Sequence, residues 1–167
     1  MLDWALDQDK HPVYIAIPSG PVVHAEGSVR TNFDALNTYE VTREGSKVAV
    51  LALGDFYDLG EKTVEALSST LGIEATLVKP YFASGVDQNL LDNLVKDHDV
   101  IVTIEDGIIE GGWGQNIASY LGTSSARVLN YGVKKAFYDR VNIADLMRES
   151  HLDPELIAVD IKQVLGL

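Results

Sequence analysis

Within ten residues of the stretch "IEDGIIEGGWGQNIASYLG", residues 104–122, fall Gly111, Gly112 and Gly114 and the carboxylates Glu105, Asp106 and Glu110, with Gly107 between them. An apolar run leads into this stretch and a helical pattern leads out of it. A glycine-rich turn between a strand and a helix aims backbone N–H groups at an anion, so phosphate binding is the chemistry to weigh. The spacing argues against it. After Gly112 and Gly114 the third position of a dinucleotide fingerprint is Ile117, not glycine, and no Lys-Ser/Thr pair follows as in a P-loop. The three carboxylates also ring the loop with the sign of charge that phosphate carries. A tight turn and close helix–sheet packing are the expected roles of these glycines.

Other chemistries find less support. The chain has no cysteine, which removes disulfides, thiolate catalysis and cysteine-bound metals and fits a reducing compartment, hence a cytoplasmic location. His11, His24, His98 and His151 are scattered, no pair has zinc-motif spacing, and each is expected at the surface or its boundary. No Gly-x-Ser-x-Gly elbow occurs. Asp55 and Asp58 follow an apolar strand pattern, where capping the next helix is the expected role of one of them. No catalytic, cofactor-binding or metal-ligating residue emerges.

Charge narrows the partners. Thirteen basic residues face 25 acidic ones, a formal net charge of -12, and Lys134-Lys135 is the only adjacent basic pair. A field of that sign repels nucleic acid and anionic lipid. The apolar runs are too short to span a bilayer, and no basic, apolar, small-residue leader opens the chain.

The elements that must position the loop are read from periodicity. From Tyr39 the chain alternates strand and helix patterns: "YEVTREG", "SKVAVLAL", the helix "DLGEKTVEALSSTLGI" with Gly72 at its C-cap, "EATLVKP", the helix "DQNLLDNLVKDHD", "VIVTIE", the helix "GQNIASYLG" and "ARVLNYG". Two helical stretches close it, the second with Pro154 at N1 behind Asp153. Alternation of this kind predicts parallel β-α-β units in a three-layer α/β/α fold, with a mixed, mostly parallel sheet of about five strands. The first strand, joined to the second by the tight turn "REGS", is expected antiparallel at one side. Residues 1–38 read differently. The end of an amphipathic helix and the β-rich run "PVYIAI", closed by Pro18 and Gly20, lead into a stretch rich in Pro, Gly, Ser and Asn. This opening reads as the edge of another domain plus a linker, and 39–167 as the main domain.

The order of these motifs resembles the carboxyl-terminal domain of transketolase-like thiamine diphosphate enzymes, and within them the 1-deoxy-D-xylulose-5-phosphate synthase type. The resemblance rests on "VIVTIEDGIIEGGWGQNIASYLG", "VLALGDFYDLGEKTVEAL", "LVKPYFASGVDQNLLDNLVKDHD", "VLNYGVKKAF" and "HLDPELIAVDIKQVL". It implies that Glu105, Gly107, Gly111, Gly112 and Gly114 form a fold signature at a docking surface. It implies further that residues 1–38 end a pyrimidine-binding domain, with "PVYIAI" as its last strand. Thiamine diphosphate and Mg²⁺ would belong to upstream domains of the same polypeptide, because the family's Gly-Asp-Gly is absent here: Gly54-Asp55 is followed by Phe56. The implied intact enzyme moves a two-carbon unit from pyruvate to an aldehyde, works as a homodimer in isoprenoid biosynthesis, and gives this portion an assembly role without catalysis of its own. A β-type subunit of a 2-oxo acid dehydrogenase and a free-standing α/β interaction module are the alternatives. Where the synthases carry an arginine-containing Arg-Tyr-Pro-Arg-Gly stretch at the acceptor phosphate, this chain has Ala16 and Ser19, which leaves the acceptor open. Phe56, Tyr57, Tyr81, Phe82 and Trp113 all follow parallel strands and are expected to gather as an apolar docking edge.

Overall fold

The computed structural model describes residues 1–17 and 29–167. The chain separates into two compact units, Met1–Leu36 and Asn37–Leu167.

The second unit carries a five-stranded sheet in the order β1-β3-β2-β4-β5. Its strands are β1 (Glu40–Arg43), β2 (Lys47–Ala52), β3 (Thr76–Lys79), β4 (His98–Ile108) and β5 (Arg127–Val133). Strands β2 to β5 are mutually parallel, and β1 lies antiparallel at one edge. The sheet splits its own apolar runs between two faces, as a doubly covered strand must. Val48, Val50 and Ala52 meet Val100, Val102 and Ile104 on one face, under Val64 and Leu67 of α2 (Tyr57–Leu71) and Ile157 and Ile161 of α6 (Pro154–Leu165). Ala49 and Leu51 join Val78 and Ile101 on the other, under Leu91 and Leu94 of α3 (Gln88–Asp97) and Trp113 and Ile117 of α4 (Trp113–Tyr120). This is the three-layer α/β/α fold with a mixed, mostly parallel sheet that the alternation predicts.

Helix boundaries follow local chemistry. Gly72 ends α2 in the left-handed region at φ 65°. Asp153 accepts from Glu155 N and Leu156 N ahead of Pro154. Asn142 accepts from Ala144 N and Asp145 N to start α5 (Ile143–Glu149). Tyr131 of β5 donates to Asp160 Oδ2 at 3.0 Å, anchoring α6 to the sheet. Burial, then the neighbouring Asp160, pushes the Tyr131 hydroxyl far above its ordinary value.

Two local expectations change. The turn "REGS" does not fold β1 back onto β2, because β1 pairs with β3 instead. It carries the chain across the start of β3: Ser46 N donates to Glu74 O at 2.9 Å and Gly45 N to Thr76 Oγ1 at 3.0 Å. A Cβ on Gly45 would stand 2.2 Å from Glu74 O, so only glycine passes there. Neither Asp55 nor Asp58 caps α2: a single 3-10 turn, Gly54–Phe56, leads in, and no side chain caps either start. Asp58 sits in the first turn and pairs with Lys62 one turn on, where its charge suits the helix dipole.

In the first unit α1 (Leu2–Asp7) is held by Trp4, whose Nε1 donates to Asp34 Oδ1 at 2.8 Å and whose ring meets Phe33 edge-on. Residues 12–17, strand-like by composition, form no strand among the described residues, and Tyr14 and Ile17 are exposed. A strand needs a neighbour for its N–H and C=O groups, and none among the described residues pairs with this stretch. Pro18, Ser19, Gly20 and His24 lie outside the described residues.

Candidate functional site

The glycine loop is built by an overlong strand. β4 runs on past Ile104, its pairing with β5 slips between Ile104 and Ile108, and Ile108 then meets Val133. Ile109 N donates to Val133 O, Gly111 turns the chain at φ 81°, and Gly112 caps α4. The slip brings the Glu105 side chain back under the start of α4. Its Oε2 accepts from Trp113 N at 2.8 Å and its Oε1 from Gly114 N at 2.8 Å.

Glu105 is 5% exposed, so this carboxylate fills the position where a bound phosphate would meet the helix N-terminus. The bonds are charge-assisted and aligned with the helix dipole. Gly114 is required by the same packing: its Cβ would stand 2.2 Å from Thr103 Oγ1, which itself donates to Asn130 Oδ1 at 2.8 Å. The other two carboxylates point elsewhere. Glu110 accepts from Lys135 N at 2.9 Å, and Asp106 is exposed. Charge reasoning takes Glu105 as part of a repulsive rim, whereas it is the occupant of the anion position. Eight residues separate it from Trp113, and only the register slip joins them.

Trp113 departs from the expected aromatic edge. It is 3% exposed, packs with Ile117 and Leu121 against the sheet, and is unavailable to a partner. Its indole N–H donates to Tyr39 Oη at 3.0 Å, and Tyr39 donates onward to Gly85 O at 3.0 Å. Asp87 closes this network by accepting from Tyr39 N at 2.9 Å and from Leu90 N at 3.0 Å, which also caps α3. Burial pushes the Tyr39 hydroxyl up to about 12. The signal was in the sequence: Trp113, Ile117 and Leu121 recur every fourth residue, the spacing of a buried helix stripe.

The other four rings are half-buried. Tyr57 donates to Thr42 Oγ1 at 2.6 Å, Tyr81 bonds to Glu40, and the Lys79 ammonium lies 4.8 Å from the Tyr57 ring centre and 5.8 Å from that of Tyr81. Phe56 and Tyr57 also pack against the core. Lys79 thus brings Tyr57 and Tyr81 together as a cation–π pair of contacts rather than a bare apolar patch.

His98 is buried, against its expected place at the boundary. Its Nδ1 is 2.8 Å from Leu94 O and must carry the proton; its Nε2, 2.8 Å from Thr76 Oγ1, then accepts the hydroxyl. With Gly45 N on the same hydroxyl, this histidine fixes the crossing into β2. In the first unit, a cleft lined in part by Asp7, Asp9 and His11 has its polar groups turned to the chain itself: Gln8 accepts from Lys10 N and His11 N and donates to His11 O. Among the described residues no group of three His, Cys, Asp or Glu side chains is placed to hold a metal ion, and no helix is long and apolar enough to cross a membrane.

The family model of the transketolase C-terminal domain matches residues 37–157. The chain belongs to the transketolase C-terminal domain family. Among curated relatives, 1-deoxy-D-xylulose-5-phosphate synthase of Pseudoalteromonas translucida (strain TAC 125) is 33% identical over 157 residues, covering 93% of this chain and 24% of the relative. The synthase of Clostridium tetani (strain Massachusetts / E88) is 26% identical over 172 residues, covering 99% and 26%. The chain thus spans about a quarter of the length of these relatives. Solved structures share the fold: a split-gene transketolase in the form of an inactive β4 tetramer gives a TM-score of 0.69 at 23% identity over 78% of this chain and 43% of that one. A transketolase mutant from Pichia Stipitis gives 0.52 at 16% identity over 75% and 17%.

Proposed function

We propose that this chain is the C-terminal assembly domain of a 1-deoxy-D-xylulose-5-phosphate synthase-type enzyme and is not catalytic alone. The observation that carries this reading is coverage: 93% of the chain aligns with only 24% of a synthase. The preceding domain ends near residue 38, a boundary supported by the separation of Met1–Leu36 from Asn37–Leu167. Thiamine diphosphate with Mg²⁺ would be held by the upstream domains and would supply the chemistry for moving a two-carbon unit from pyruvate to an aldehyde. The described residues of this chain do not fit that cofactor, because Glu105 fills the anion position of the glycine loop and no metal-ligand cluster is present among them.

The role left to this chain is mechanical. The Glu105 cap and the Trp113–Tyr39–Asp87 network stiffen the ends of the parallel strands. The half-buried rings Phe56, Tyr57, Tyr81 and Phe82 meet the upstream domains of the same polypeptide in a cytoplasmic homodimer. With Ala16 and Ser19 where the synthases have arginines, the intact enzyme lacks that pair of guanidinium groups for an acceptor phosphate, which leaves its acceptor open.

Release of carbon dioxide from pyruvate tests the reading. The chain supplied with thiamine diphosphate and Mg²⁺ is expected to release none, while the intact parent polypeptide releases it. Turnover by the chain alone overturns the proposal.

A further inference from the structure

Of the three carboxylates in the glycine loop, two have work to do in the fold. Glu105 caps α4 and Glu110 accepts from Lys135 N, whereas the exposed Asp106 carboxyl takes no hydrogen bond or ion pair among the described residues. Asp106 is also the one aspartate or asparagine in the chain that a glycine follows. At such a pair the next amide nitrogen reaches the side-chain carbonyl carbon most readily, since glycine has no Cβ to crowd the approach.

Two observations set this pair apart from the strand that carries it. Pairing of β4 with β2 ends at Ala52↔Ile104, and pairing with β5 passes from Ile104↔Tyr131 straight to Ile108↔Val133. Glu105, Asp106 and Gly107 thus stand opposite Gly132 alone, and neither Asp106 nor Gly107 has a partner residue on either side. A bulge of this kind leaves its extra residues outside the ladder that would hold their dihedrals. Packing, moreover, does not call for glycine at 107. Its φ lies outside the left-handed region, and a Cβ there would meet only Glu105 Oε2, at 3.7 Å. A Cβ on Gly112 or Gly114 would collide at 2.5 or 2.2 Å.

We propose that Asp106–Gly107 is a site of spontaneous backbone isomerisation, through which the loop loses the Glu105 cap of α4. The Gly107 nitrogen attacks Asp106 Cγ and gives up its proton to solvent. As the N–Cγ bond forms, the hydroxyl of the protonated carboxyl leaves as water. Water then adds to the cyclic imide. Opening at the Cγ carbonyl restores aspartate, and opening at the main-chain carbonyl routes the chain through Cγ as isoaspartate. The water lost and the water added cancel, so the product is an isomer of the starting chain. It carries one more methylene in its main chain, about 1.5 Å of extra length. That length enters between Glu105 and the turn at Gly111, in the span that brings Glu105 to 2.8 Å from Trp113 N and Gly114 N. Bonds of that length are lost with a shift of this size. The inference lies within the second unit and stands whatever the parent enzyme is.

Peptide mass spectrometry on the full chain, kept warm at neutral pH for weeks in heavy-oxygen water, tests it. Each passage through the imide leaves a heavy oxygen at the site, so turnover is counted even where aspartate is restored. Label and isoaspartate accumulate at Asp106 at least about tenfold faster than at any other aspartate, where a side chain follows. Gly107→Ala slows the reaction at least about tenfold and leaves the thermal melt unchanged, because its Cβ has room. Asp106→Glu, whose longer side chain closes a larger ring more slowly, does the same with Gly107 kept. The unfolded chain in urea is the reference, and the folded chain reacts within about tenfold of it, as a locally unheld segment must. In amide NMR the isoaspartyl form gives a second pair of Trp113 and Gly114 resonances that grows with the label and is missing from aged Gly107→Ala. Isoaspartate no more frequent at Asp106 than elsewhere, or a Gly107→Ala chain that reacts as the wild type does, overturns the proposal. So does a folded rate more than about tenfold below the unfolded one, or an isomer whose Trp113 and Gly114 amides have not moved.

Discussion

The glycine loop after β4 and the basic stretch after β5 leave neighbouring strands at the same end of the sheet, yet they are built on opposite plans. The first is crowded with glycines and charges and turns them inward. Glu105 satisfies the N-terminus of α4, Thr103 and Asn130 satisfy each other beneath Gly114, and Trp113 is sealed against the sheet. The second has no glycine, and it leaves Phe137 wholly in solvent. Conspicuous sequence thus marks where the fold is held, and unremarkable sequence leaves apolar side chains in solvent. Glycines next to a helix start denote close backbone approach, and whether a ligand or the protein's own carboxylate makes that approach is decided by one side chain.

Substitutions on the two sides of this contrast should separate by size. Trp113→Ala, which empties a buried site in the core, should cost about 3–5 kcal/mol in urea unfolding. A cost below about 1 kcal/mol would mean that the ring is not sealed as described. Glu105→Ala leaves two buried N–H groups without a partner and should cost about 2–3 kcal/mol by the same measurement. A neutral result would place water or another acceptor there.

Alkaline pH sharpens the same side of the contrast. The Tyr39 hydroxyl is pushed from its ordinary 10 up to about 12, chiefly by burial. In that interval the unfolded chain has lost this proton and the folded chain keeps it, so stability is full below about pH 10 and falls as pH rises towards 12, by at most about 2–3 kcal/mol. Tyr39→Phe should flatten part of that decline, leaving the share due to the other raised hydroxyls, Tyr131, Tyr57 and Tyr120. An unchanged slope would remove Tyr39 from the account. The smallest effect is expected across the divide: Phe137→Ser should alter monomer stability by no more than about 0.5 kcal/mol, because its ring buries nothing in the chain. A loss above 1 kcal/mol would show that Phe137 belongs to the fold.

Much of the frame was readable in advance, because strands buried on both faces are apolar throughout and helices repeat every three or four residues. "SKVAVLAL" and "VIVTIE" could be little else, and Asp153-Pro154 announced the start of α6. Long-range geometry was not readable. Nothing local in "REGS" says that the chain crosses β3, since that depends on Gly45 fitting against the backbone of Glu74 and Ala75. The burial of His98 depends on that crossing, through Thr76. The candidate site failed in the same way. Glu105 was recognised as part of the loop, but its role follows from a register slip between β4 and β5 that no pattern in one strand encodes. Trp113 is the exception: its fourfold spacing with Ile117 and Leu121 was available and outweighs its place beside glycines.

The central claim is that the glycine loop is already filled by the chain's own carboxylate and leaves no place there for a diphosphate. Amide NMR on the full chain, titrated with thiamine diphosphate and Mg²⁺, tests it at the atoms concerned. The Trp113 and Gly114 amide resonances are predicted to stay in place through the titration, because Glu105 holds both protons. A saturable shift of those two resonances in the wild-type chain would mean that a diphosphate displaces the carboxylate, and would contradict the account.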